Sequence, residues 1–232
     1  MNWITNHIGE WLPPVFPRGI GTCGLAALLL GSGVCSADQV EKLSVTHSDG
    51  EYRLEIVSVL DAPADYTYHV ITDYRHAYRI NPSIVDVEIL PTGQEGVVRV
   101  HDRSEHWVGP FCFHIDWTGD ITSPDPGRIE VVTVPEHSSF ESGHATWKIH
   151  PQGERTLVTY TSSLKPKFFI PPVIGDTIIE AHIREDTLAT FQRIECHARL
   201  MFELDLEQEP EHLRKLLAGR DECVRLESQV DS

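Results

Sequence analysis

The sequence predicts an α+β fold: a curved antiparallel sheet of about seven strands wrapped on one long C-terminal helix, with two short helices after the first strand. Three observations predict it. Between Ser83 and Leu164, short runs of apolar and polar residues are separated by Pro, Gly and Asp turn clusters. A helical stripe then runs through Ile179, Ile183, Thr187, Thr190, Ile194, Ala198 and Met201, in steps of three and four. Between them Pro171 and Pro172 cannot donate to a ladder, so the sheet ends before them. A curled sheet closed by one late helix encloses a cavity.

The elements follow in order. Glu51 to Leu60 is a first strand, with Tyr52, Leu54, Ile56 and Ser58 on one face. Asp61-Ala62-Pro63 opens a helix over Ala64 to Thr72, with Asp61 as its cap. Tyr74 to Ile80 is a second short helix, stopped at Asn81-Pro82. Strands are expected at Ser83 to Leu90, Val97 to Trp107, Phe111 to Ile121, Ile129 to Val134, Ala145 to His150 and Thr156 to Leu164. A polar loop precedes Ala145. The last helix spans about Ile174 to Met201. Residues 203–232 hold nine acidic against four basic side chains and read as a peripheral acidic tail.

At 232 residues the chain fits one domain with appendages, and 41% hydrophobic content is ample for a core. The net charge of −16 opposes binding to nucleic acid phosphates and anionic membrane surfaces. Arg18 precedes a weakly polar run, Gly19 to Val34, followed by Cys35-Ser36-Ala37. This pattern reads as a secretory signal over 1–37, and implies export across the inner membrane to the periplasm. The run is shorter than the about 20 apolar residues of a membrane span, so no stable span is expected in the mature chain. Residues 38–50 are then a linker and 51–202 the folded domain. Cys112, Cys196 and Cys223 remain after cleavage and match no zinc spacing. An odd count permits at most one disulfide among them and leaves one thiol; otherwise they read as buried, inert thiols.

Specific segments resemble the START-like helix-grip superfamily, which includes polyketide cyclase/dehydrase and coenzyme-Q-binding START-like proteins. They are Ala62-Pro63-Ala64-Asp65-Tyr66-Thr67-Tyr68, Val70-Ile71-Thr72-Asp73-Tyr74, Asn81-Pro82 before a valine-rich strand, and Phe169-Ile170-Pro171-Pro172 before the helix. The resemblance covers about Tyr52 to Ala198. It implies a cavity between the concave sheet and the long helix. Members bind lipids, quinones, hormones or polyketides and some are enzymes, so fold alone leaves the activity open.

The candidate ligand-binding residues are Val100, Asp102, His106, Phe113, Ile115, Trp117, Trp147, Tyr160, Phe169, Ile179 and Ile183. Phe111, Phe113, Ile115 and Trp117 share one strand face, and Trp147 and Ile149 another, as cavity wall or as plain core. Asp102, Ser104 and His106 share parity with Val98 and Val100. If that face points inward, Asp102 can hold His106 in one tautomer, as an acid/base pair requires. Those two are the only candidates for catalysis. Asp73 and Asn81 read as turn formers. His114 and Asp116 fall on the outer face with no third ligand in sight, and no metal or cofactor is expected. HExxH, GxSxG and Gly-rich phosphate loops do not occur in the sequence.

The expected function is binding of one hydrophobic small molecule, a lipid or isoprenoid quinone. The alternatives are a cyclase or dehydratase using the same cavity, or a protein-interaction module with its cavity filled.

Overall fold

A computed structural model describes residues 40–108, 110–170 and 174–204. The strands are β1 (Val40–Ser48), β2 (Glu51–Leu60), β3 (Ile84–Leu90), β4 (Val97–Val108), β5 (Phe111–Asp125), β6 (Arg128–Thr133), β7 (Phe140–Gln152) and β8 (Arg155–Pro166). Helix α1 (Ala64–Thr72) and a 3-10 helix (Tyr74–Arg79) follow β2, and α2 (Gly175–Glu203) follows β8. All strands belong to one antiparallel sheet in the order β1-β2-β8-β7-β6-β5-β4-β3. The predicted fold class is present.

The sheet has eight strands, and the extra one is β1, which occupies the segment expected to be a linker. It pairs with β2 through a tight turn in which Asp49 and Gly50 have φ of 55° and 75°. Two consecutive positive φ angles suit the twist of a hairpin, and Asp-Gly supplies them at low cost. Lys42 on β1 bridges to Glu55 on β2 at 2.6 Å. Strand β7 starts at Phe140, five residues before the expected strand, inside the supposed polar loop. A register irregularity between Phe140 and Ser142 lets Phe140 turn inward although its neighbours are polar.

Helix α1 matches its expected bounds, but Asp61 does not cap it. Pro63 occupies the cap position, with no side-chain hydrogen bond. Thr67 braces this end, its backbone and hydroxyl both donating to the Pro63 carbonyl at 3.0 Å, but no side chain accepts from the first-turn N–H groups. Asp73 ends the helix and holds the next one. Its carboxylate accepts from Arg79 Nη2 at 2.7 Å and lies 2.8 Å from His76 Nδ1. Arg79 is buried, so this pair fixes the 3-10 helix against the body of the fold.

The core gathers where α1 and the C-terminal half of α2 lie on the sheet. Ile56, Leu60, Ala62, Val70, Ile129, Val158, Ile194, Ala198 and Met201 are its most buried apolar residues. Trp147, Tyr160 and Phe191 form a second contact: Trp147 lies 4.2 Å from Tyr160 across the strands and stacks on Phe191 of α2 at 5.7 Å. Among the cysteines, Cys112 is a free thiol. Cys196 is disulfide-bonded, so it is not one of a set of inert thiols.

Gly119 is required by a close approach. A Cβ there would stand 2.2 Å from Trp117 Cζ2. The Trp117 indole N–H donates to Thr133 Oγ1 at 3.1 Å.

Two outcomes follow from this packing. Ile194→Ala, at a site with no exposed surface, should lower unfolding free energy by about 2–5 kcal/mol in a denaturant titration. Gly119→Ala should push the Trp117 ring off its position, and the indole N–H cross-peak in a nitrogen–proton NMR spectrum should shift as the bond to Thr133 is lost. An unmoved cross-peak would contradict the contact.

Candidate functional site

The concave side of the sheet and the N-terminal half of α2 enclose a cavity of about 480 Å³. Period-two alternation builds most of its wall. From β4 come Val100, Asp102, Ser104, His106 and Val108. From β5 come Phe113, Ile115, Trp117 and Ile121, and from β7 and β8 Phe140, Trp147, Tyr160 and Leu164. The helix closes the space with Ile179, His182, Ile183, Asp186, Thr187, Thr190 and Phe191. The 3-10 helix and its exit add Tyr74, Ala77, Ile80 and Asn81.

Ten of the eleven candidate ligand-binding residues therefore stand in one wall: Val100, Asp102, His106, Phe113, Ile115, Trp117, Trp147, Tyr160, Ile179 and Ile183. Phe169 does not. It is 76% exposed and points away from the cavity, while Phe168 takes the inward place. The Phe168 ring lies 5.8 Å from Phe113 and 6.0 Å from Phe140. An irregular segment has no period from which to choose between neighbouring phenylalanines. Phe111 is also largely outside the wall, and Ile149 is packed in the core rather than lining the space. Asn81 acts as the expected turn former, its side-chain oxygen accepting from Ser83 N at 3.1 Å, and it faces the cavity too.

Polar groups enter the wall from several strands, and those of β4 and α2 meet one another. The Asp102 carboxyl is pushed up to about 7, chiefly by removal from water, although the nearby His106 pulls it down. The residue keeps some accessible surface because it faces the cavity interior. Asp102 is not the hydrogen-bonding partner of His106. His106 Nε2 lies 3.1 Å from Ser104 Oγ, and Nδ1 lies 3.2 Å from Asp186 Oδ2 on α2. His182, one helical turn before Asp186, presents Nε2 3.4 Å from the same carboxylate oxygen. Burial also raises the Tyr160 and Tyr74 hydroxyls above their ordinary range, so both stay neutral and able to donate.

Sequence reasoning missed Asp186 and His182. Their spacing of four residues was a usable signal, since it puts both side chains on one helix face. What the sequence lacked was the strand that faces them. The outer-face pair also resolves: His114 lies 3.5 Å from Glu105 on the exposed side of the sheet.

The sequence model of the polyketide cyclase / dehydrase and lipid transport family matches residues 51–198. No curated protein sequence matches the chain. Solved structures share the fold. Zhui, a Streptomyces aromatase/cyclase, superposes with a TM-score of 0.54 at 19% identity, over 66% of this chain and 96% of its own. A START superfamily protein of Mycobacterium smegmatis gives 0.52 at 14% identity, over 64% and 98%. Human STARD10 gives 0.52 at 11% identity, over 69% and 76%. These identities carry the fold alone. The family match spans more than half of the chain and coincides with the sheet and the helix that enclose the cavity. The chain belongs to the polyketide cyclase / dehydrase and lipid transport family.

Proposed function

We propose that this protein binds one hydrophobic small molecule, of the lipid or isoprenoid-quinone class, in the cavity between the sheet and α2. The observation that carries the reading is the cavity itself, a largely apolar space of about 480 Å³ with a minority of polar groups set into its wall. That volume and that pattern suit a drug-sized ligand held by burial and oriented by a small number of polar contacts. Burial contributes about 25 cal/mol for each Å² of apolar surface removed from water. The lining is mostly aromatic and aliphatic, so the ligand body is apolar. Asp102, His106 and Tyr160 are placed to orient a polar head. A carboxyl near pH 7 in its protonated form donates a hydrogen bond to a carbonyl or quinone oxygen. An open interior argues against an interaction module with a filled cavity.

The proposal includes export to the periplasm. The run from Gly19 to Val34 followed by Cys35-Ser36-Ala37 supports it; this segment and the acidic tail from 205 onward lie outside the described residues. The disulfide at Cys196 is in keeping with an oxidising compartment.

A second reading, a cyclase or dehydratase, is favoured by one observation. Asp102 and His106 face the same space with a carboxyl that titrates near neutrality, as general acid–base chemistry requires.

Mass spectrometry of the purified protein, native and after solvent extraction, tests the binding reading. A stoichiometric apolar molecule is expected. Trp117→Ala and Ile183→Ala should each weaken its retention about tenfold or more, since each strips apolar wall from the site. Unchanged retention in both variants would remove the cavity as the binding site.

The raised Asp102 carboxyl has a consequence for stability. In the unfolded chain it ionises near its ordinary value of 3.8, and in the fold at about 7. The folded form therefore holds an extra proton between those values. This contribution is full below the lower value and is lost as pH rises through the higher one. His197, pushed down to about 4 by burial, acts in the opposite sense over an overlapping range. The measurement is therefore a difference. Asp102→Asn should gain stability relative to the natural sequence as pH rises from about 4 to about 7, and hold a constant difference above that, in denaturant titrations. A difference that does not change with pH would contradict the buried carboxyl.

A further inference from the structure

Apolar burial makes no use of His182 and Asp186, which meet His106 in the cavity wall. Strand β4 supplies His106, and α2 supplies His182 and Asp186 from across the space. The two helix residues are one turn apart, so both leave the helix on the same side. Their donor atoms converge. Asp186 Oδ2 lies 3.2 Å from His106 Nδ1 and 3.4 Å from His182 Nε2. One donor atom from each residue falls within 4.8 Å of the other two.

We propose that His106, His182 and Asp186 bind a divalent first-row transition-metal ion of the zinc class, with a coordination position left open to the cavity. Bonds of about 2.0–2.1 Å in a tetrahedral site hold donor atoms roughly 3.3–3.4 Å apart. Two edges of the triangle have nearly that length. The third edge, between the two imidazoles, is no longer than 4.8 Å.

Two further observations support the site. His182 Nε2 is buried and makes no hydrogen bond. A ring nitrogen removed from water needs a partner, and an ion seated between it and Asp186 supplies one. His106 is held from behind: its Nε2 lies 3.1 Å from Ser104 Oγ. When Nε2–H donates to that hydroxyl, the Nδ1 lone pair points toward Asp186, where the ion would sit. Metal-binding histidines commonly have their second nitrogen fixed in this way.

The donor chemistry selects the class of ion. Two imidazoles and one carboxylate suit zinc, iron(II), cobalt(II) or nickel(II). They disfavour calcium and magnesium, which take oxygen donors, and copper(I), which takes sulfur. All three ligands line the cavity, so the remaining position would receive water or an oxygen of whatever occupies the space. The site does not depend on which molecule that is.

The test uses the full chain, stripped with a chelator, dialysed, and titrated with cobalt(II) and then zinc. Stoichiometric cobalt should give the visible ligand-field bands of a nitrogen and oxygen site without a thiolate charge-transfer band, and zinc should displace it. His182→Gln and Asp186→Asn should each weaken binding by about 100-fold or more, and Ser104→Ala by about tenfold. His114→Ala, on the exposed face, should leave it unchanged. Circular dichroism and cooperative unfolding of the stripped variants separate loss of the site from loss of the fold. If a ligand variant fails to fold, Ser104→Ala still tests the assignment. Absent bands, bands with thiolate character, or bands that survive Asp186→Asn would each overturn the site, leaving a carboxylate held between two imidazoles without an ion.

Discussion

One helix cannot cover the concave face of an eight-stranded sheet, and most of this structure follows from that mismatch. Helix α2 makes full contact only along its later turns. Its buried residues are Thr187, Phe191, Ile194, His197, Ala198 and Met201. Earlier, Ile179 and Ile183 face the same way but remain partly accessible. Helix α1 packs near the later turns and completes a solid core there. Under the earlier turns the described side chains line the space rather than fill it. Phe191 marks the divide, since it belongs to the core, stacks on Trp147 and lines the cavity. The hollow sacrifices dispersion contacts rather than backbone hydrogen bonds, because the strand ladders run on beneath it. An apolar guest can restore those contacts.

Asp102, Ser104 and His106 on β4 face His182 and Asp186 on α2, and aromatic and aliphatic residues make up most of the remaining wall. Burying these groups is costly unless they satisfy one another. His106 does so with a contact at each nitrogen. Asp102 meets the same cost differently, by shifting toward its neutral form. A second buried polar group stands outside the cavity. Arg79, tied to Asp73, fixes the 3-10 helix whose Tyr74 and Ala77 line the wall. The binding space is thus shaped partly by an ion pair that never touches it.

Legibility in the sequence tracked the presence of a period. The stripe on α2 and the inward parity of β4 and β5 rest on regular periods, and the bounds of α1 on the proline that opens it. Failures occurred where regularity stops. Strand β1 is a charged edge strand whose polar residues conceal its pairing, although Asp49-Gly50 between two runs was a turn signal. Phe140 turns inward only because the register slips. The exchange of Phe168 for Phe169 happened in an aperiodic segment. Asp61 was a reasonable cap by composition, but Pro63 holds that position. The partner of His106 was misassigned for a different reason. Asp102 is near in sequence, whereas Asp186 is 80 residues away and meets it only through the fold.

The distinction between binding and catalysis in such a cavity turns on orientation. A binder needs complementarity to the ground state of its ligand, and apolar burial with one or two hydrogen bonds supplies it. A general acid or base must also be held where the proton moves, with its tautomer fixed. Here the His106 ring is constrained from two directions by residues of two different elements. Rotating it to meet a ligand would break one contact or both. Either nitrogen therefore serves the cavity only by exchanging a protein partner for a new one. An ion between His106 and Asp186 makes that exchange without moving the ring far. A substrate proton would have to displace the carboxylate first. The geometry thus gives His106 a stronger claim as a fixed ligand than as a mobile base, and leaves Asp102, which has no such restraint, as the group in the wall best placed to move a proton.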